Sequence, residues 1–139
     1  MINRILLGYD GSASASHAFD FALDLATQYR AELHVLAVVR PPEFAEDVET
    51  EAIIENSQRY YCKALEPVQA RVAAASLKAR FEVAVGHPAE QIVVYAEKHA
   101  VDHIVVGHRG HTLFERWLLG SVARQVIAYA HCAVTVVRK

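Results

Sequence analysis

The residues of this chain best suited to chemistry lie between Gly107 and Ser121. Gly107-His108-Arg109-Gly110 follows the apolar run His103-Ile104-Val105-Val106. After nine intervening residues come Gly120 and Ser121, ahead of the helix-like Val122-Ala123-Arg124-Gln125-Val126-Ile127. Glycines leave backbone N–H groups uncovered. A helix start adds N–H groups with no intrahelical partner and the positive end of the helix dipole. Together these bind anions, phosphate foremost, so nucleotide binding is the leading hypothesis. At average glycine and serine usage, the four fixed positions recur by chance in roughly a few chains per thousand of this size. The competing reading is two ordinary turns whose glycines supply positive φ.

Several side chains could complete such a site. Asp10, between Gly8-Tyr9 and Gly11, could accept hydrogen bonds from a ribose hydroxyl, or could cap the first helix. Ser121 could donate to a phosphate, cap the last helix, or do both. Arg109 could meet a phosphate as a cation or remain a solvated loop arginine. His108 and His111 flank the glycine loop and could touch phosphate. No third ligand at a zinc-site spacing accompanies them, so no protein metal site is expected. His34 alternates within a strand and reads as structural. The chain has neither Gly-x-x-x-x-Gly-Lys-Ser/Thr nor Gly-x-Gly-x-x-Gly, so the usual phosphoryl-transfer and dinucleotide sites are not supported. No Ser-His-Asp or Cys-His constellation can be assembled from the spacing. Ser121 follows a glycine but does not sit in Gly-x-Ser-x-Gly.

These residues need a scaffold, and the hydrophobic pattern supplies one. Ile5-Leu6-Leu7, Leu33 to Val39, Phe81 to Val85, His103 to Val106 and Cys132 to Val137 read as five strands. A helix capped by Ser12 or Ser14 follows the first strand, with Phe19, Leu23 and Ala26 on its apolar face. Arg40-Pro41-Pro42 stops the second strand. Glu43 to Glu55 reads as a mobile, acidic loop grading into a helix through Tyr60, Ala64, Val68 and Val72 to about Leu77. Pro67 should start a segment or kink that helix, because it lacks an N–H. Pro88 suits the first turn of the helix carrying Ile92, Val93, Ala96 and His99. Strand–helix alternation implies a parallel sheet with helices on both faces.

In such open sheets, ligands sit beyond the carboxyl ends of the strands, where the winding reverses. Gly8-Tyr9-Asp10, Val38-Val39 and Gly107–Gly110 share that edge. The insert before Gly120, with Phe114, Trp117, Leu118 and Leu119, is apolar. It packs on the core, or else forms a lid or partner surface. The last strand, Val134 to Val137, would offer open backbone groups at a sheet edge for a homodimer, unless Arg138-Lys139 blunts it.

The whole chain bounds the function further. Its 139 residues suit one domain with one full core, taken as 1–139. The hydrophobic fraction of 53%, charged fraction of 22% and net charge of −2 are ordinary for a globular protein. No polybasic run favours nucleic acid or an anionic membrane. No apolar run is long enough to span a bilayer, and the first residues read as a strand rather than a signal peptide. Cys62 and Cys132 lack metal or redox spacing and read as reduced thiols of a cytoplasmic protein.

Over essentially its full length the chain resembles the universal stress protein family. The resemblance rests on Ile5-Leu6-Leu7-Gly8-Tyr9-Asp10-Gly11-Ser12, Gly86-His87-Pro88, Val105 to Gly110, Leu119 to Val122, and His131 to Val137. The family's nucleotide-binding branch carries Gly-x2-Gly-x9-Gly-Ser/Thr, which Gly107, Gly110, Gly120 and Ser121 match without a gap. The resemblance implies a Rossmann-like α/β fold of the adenine nucleotide alpha hydrolase type, a doubly wound five-stranded parallel sheet, and a homodimer joined through the last strand. It implies ATP as ligand. Gly8, Tyr9 and Asp10 would lie at the adenosine, with Asp10 in contact, and Val38 would face the adenine. The backbone of Gly107, Arg109 and Gly110, and of Gly120, Ser121 and Val122, would hold phosphates and ribose, and the phosphates would hold Mg²⁺. The family usually has small residues at positions 108 and 111. The two histidines here could crowd the phosphates or add charge at mildly acid pH. With no catalytic base aimed at a γ-phosphate, the expectation is a regulatory ATP-binding stress-response protein with slow hydrolysis at most. The alternatives are an ATPase or nucleotidyl transferase activated by His108 or His111, and a dimeric interaction protein that binds no nucleotide.

Overall fold

In a computed structural model of the chain, residues 2–42, 47–109 and 119–138 are described. Five strands, β1 (Arg4–Gly8), β2 (Glu32–Val39), β3 (Ala79–Val85), β4 (His103–Gly107) and β5 (Ala133–Val137), form one sheet in the order β3-β2-β1-β4-β5. Every pairing is parallel. The connecting helices are α1 (Ala13–Tyr29), α2 (Asp47–Ala64), α3 (Glu66–Ala74), α4 (Pro88–Lys98) and α5 (Ser121–Tyr129). None of them is long and apolar enough to cross a membrane.

The near-continuous apolar runs of the inner strands fit a sheet covered on both faces. Alternation along each strand then sorts side chains between two cores. Ile5, Leu7, Leu33, Val35 and Ala37 pack with Phe19 of α1 and Val68 and Val72 of α3. Leu6, Leu36, Val38, Ile104 and Val106 pack with Ile92 and Tyr95 of α4 and Val126 of α5. The direction of winding reverses between β1 and β4, so their carboxyl ends part there.

Local chemistry explains the element ends. The Ser12 hydroxyl accepts the Ala15 N–H at 3.1 Å, so Ser12 rather than Ser14 caps α1. The expected loop from Glu43 is helical from Asp47 onward, and residues 43–46 lie outside the described set. Pro67 starts a segment: it occupies the first turn of α3, and the chain turns at Leu65 instead of running on to Leu77. β3 begins two residues earlier than its apolar run suggests, because parallel pairing with β2 reaches back to Ala79. Cys132 lies just before β5, which pairs with β4 and forms a sheet edge among the described residues. Phe114, Trp117, Leu118 and Lys139 lie outside the described residues.

His34 shares the α4 face of the sheet and is 2% exposed. Its Nδ1 lies 2.6 Å from the Tyr95 hydroxyl, and its Nε2 lies 3.1 Å from Glu32 Oε1, in ion-pair range without hydrogen-bond geometry. Burial lowers its pKa, against the opposing pull of Glu32. Burial lowers that of His103 as well, whose Nε2 meets the Thr135 hydroxyl at 2.6 Å. Both rings stay neutral in the folded chain at pH values where the unfolded chain takes up protons, below about 6.5. Stability is therefore full above that pH and falls as pH drops toward the folded pKa values. Thermal melts between pH 7.5 and 5.5 should show a falling Tm; a constant or rising Tm would contradict this.

Candidate functional site

A cleft of about 560 Å³ opens at the carboxyl ends of β1, β2 and β4, within the size range of small-molecule sites. Gly8, Tyr9, Asp10, Val38, Gly107, Arg109, Gly120, Ser121 and Val122 line it. Gly110 and His111 lie outside the described residues.

Neither Gly107 nor Gly120 acts by positive φ. Among the described glycines, positive φ occurs at Gly11 and Gly86, so the ordinary-turn reading fails at Gly107 and Gly120. At Gly107 the reason is contact. A Cβ there would lie 2.6 Å from Ser14 Oγ and 2.9 Å from the Ser14 carbonyl carbon and oxygen. β4 thus ends hard against the first turn of α1. The Ser14 hydroxyl also accepts the Arg109 N–H at 3.1 Å, fixing the chain as it leaves β4.

Gly120 is the N-cap of α5, extended at φ −62° and ψ 155°. Its N–H donates to the His108 carbonyl at 2.9 Å, and its own carbonyl accepts the Arg124 N–H at 3.1 Å. This corrects the reading of Ser121 as the cap: Ser121 is the first helical residue, and its side chain is exposed. A glycine cap brings no side-chain acceptor. The first-turn N–H groups of Ser121, Val122 and Ala123 are those that a helix leaves to outside partners, and all three residues line the cleft.

Asp10 does not cap α1, since Ser12 holds that position. Its Oδ1 accepts the Ser12 N–H at 2.9 Å, which orients the carboxylate at the cleft. Among the described residues it is the one carboxylate of the lining, and no cluster of three metal-ligating side chains occurs. Val38, buried at the end of β2, supplies an apolar wall.

The His108 side chain is buried, and among the described residues its Nε2 has no hydrogen-bond partner. Burial pushes its pKa down, and the Arg138 and Arg109 guanidiniums push the same way. The ring therefore resists the extra charge that a histidine would otherwise bring at mildly acid pH.

Arg40, Ser57, Tyr61, Pro88 and Ile92 also line the cleft and were not singled out by the motif. Ser57 and Tyr61 stand four residues apart on α2, a spacing that places both on one helix face and could have flagged them. Burial raises the Tyr61 pKa, and the Asp10 carboxylate adds to the shift. Asp10 and α2 thus share one end of the cleft.

The Universal stress protein family model matches residues 1–138. A universal stress protein of Methanocaldococcus jannaschii is 36% identical over 146 aligned positions, covering 100% of this chain and 84% of that one. The structure of universal stress protein UspA from Lactobacillus plantarum superimposes with a TM-score of 0.88 at 29% identity, covering 98% of this chain and 97% of that one. A universal stress protein solved in complex with cAMP superimposes with a TM-score of 0.73 at 25% identity, covering 97% and 96% of the two chains. Sheet order, switch-point cleft and full-length match agree, and the chain belongs to the universal stress protein family.

Proposed function

We propose that this chain is an ATP-binding regulatory protein of the stress response, holding ATP–Mg²⁺ in the cleft where β1 and β4 part. The observation that carries this reading is the glycine-capped start of α5, which opens on the same cleft as Asp10 and Val38. Val38 faces the adenine, and Asp10 accepts from the ribose. The backbone at Gly107–Gly110 and Gly120–Val122 holds phosphates and ribose. Asp10 is the one carboxylate of the described lining, so the phosphates are the main hold on Mg²⁺. The cAMP complex of a relative supports a nucleotide as the class of ligand.

Among the described residues of the lining, Asp10 is the one carboxylate and His108, the one imidazole, is buried, which supports slow hydrolysis at most. The chain acts as one cytoplasmic domain, without nucleic acid or membrane as partner. β5, a sheet edge among the described residues, favours a homodimer joined through that strand.

Denaturing natively purified protein and identifying the released nucleotide tests the reading. Saturation at about a hundred times the Kd of ATP should stabilise the fold by about 2.7 kcal/mol. The absence of both bound nucleotide and any ATP-dependent rise in Tm would overturn it.

A further inference from the structure

We infer that the His108 side chain is a phosphate ligand of the cleft, donating a hydrogen bond from Nε2 to a phosphate oxygen of the bound nucleotide. This rests on the ATP reading and sharpens it: recognition of the phosphates would use a side chain as well as backbone N–H groups. Three observations meet at this residue. The side chain is 3% exposed, yet its Nε2 has no partner among the described residues. A buried polar atom left unpaired costs its desolvation without return, so its persistence asks for a partner. The residue is also held in place from both sides. Its N–H donates to the Val137 carbonyl at 2.7 Å, and its carbonyl accepts the Gly120 N–H at 2.9 Å. Its backbone cannot shift without breaking the link between β5 and the start of α5. Finally, it lines the cleft between Gly107 and the first turn of α5, where an anion is favoured.

The chemistry is consistent. Burial, with the Arg138 and Arg109 guanidiniums adding to it, disfavours a second ring proton in the ligand-free cleft, so the imidazole has one N–H there. A phosphate oxygen only accepts, and so selects the tautomer with that proton on Nε2. No proton changes owner and no bond is made or broken.

The test compares ATP with adenosine, which lacks the phosphates. His108→Ala should weaken ATP binding by roughly 10- to 100-fold in calorimetry, the range for a hydrogen bond to a charged group, and leave adenosine binding unchanged. His108→Gln, whose amide can still donate, should retain most of the ATP affinity. Equal loss for ATP and adenosine, or wild-type ATP affinity in a folded His108→Ala variant, would overturn the inference. Nitrogen NMR of the histidine-labelled wild-type protein needs no variant. ATP should move the Nε2 signal to that of a protonated, hydrogen-bonded nitrogen, and an unmoved signal at saturation also overturns it. Wild-type protein that binds no ATP defeats the cleft assignment itself, an outcome distinct from a failure of His108 alone.

Discussion

Gly107→Val should lower the stability of the fold by about 3 kcal/mol, near the top of the range for overpacking a close-packed site. The first side-chain carbon would fall within 2.9 Å of the backbone of Ser14. A flexible side-chain tip could swing away, but a carbonyl in the first turn of α1 cannot. Ser12 caps that turn, and Ala15, Ala18 and Phe19 are buried below it. β4 has no room to retreat either, since Ile104, Val105 and Val106 are buried and paired with β5. Any shift also strains the bond from the Arg109 N–H to the Ser14 hydroxyl. Out of a typical total of about 5–15 kcal/mol, such a loss is large. For a chain of this size it corresponds to a fall in Tm of roughly 10 °C. Urea melts should show a lower midpoint at unchanged slope. A Tm within about 2 °C of the wild type would show that α1 and β4 are not in the contact described.

The same glycine shows what the sequence made legible. The spacing of Gly107, Gly120 and Ser121 located the cleft, because a strand end and a helix start leave a periodicity signal on both sides of the motif. The parallel sheet with helices on both faces followed from the alternation of strands and helices, but the strand order did not. The reason for the glycine at 107 was not legible, since a contact with Ser14 spans more than ninety residues and has no local signature. Asp10 was left between capping and binding for a similar reason. Both roles suit an Asp after a strand, and only the bond from the Ala15 N–H to the Ser12 hydroxyl excludes the first. The α2 side of the cleft was missed although a helix through Tyr60 was expected, because its packing onto the sheet, with Tyr61 against the core, joins residues far apart in sequence. His108 looked like a loop residue by its glycine neighbours. The pairing of its backbone with Val137 and Gly120 is what carries it inward.

Gly120→Val should reverse the balance seen at Gly107, leaving the fold standing and removing ATP binding. The φ and ψ of Gly120 lie in the extended region that valine readily adopts, so the backbone carries no strain into the variant. Its N–H bond to the His108 carbonyl is retained, and the loss from a poorer N-cap is about 1 kcal/mol or less. The effect falls on the ligand. Gly120 lines the cleft beside Ser121 and Val122, whose N–H groups can bind a phosphate only if it approaches to hydrogen-bond distance, about 2.9 Å. A branched side chain at the entry to that turn holds the anion off at van der Waals separation and desolvates it without return. Losing two such charge-assisted bonds weakens binding by at least about 100-fold, or about 2.7 kcal/mol. Calorimetry with ATP, alongside a melt showing a cooperative transition within a few degrees of the wild type, separates the two effects. Unchanged affinity in that folded variant would place the phosphates elsewhere than at the start of α5.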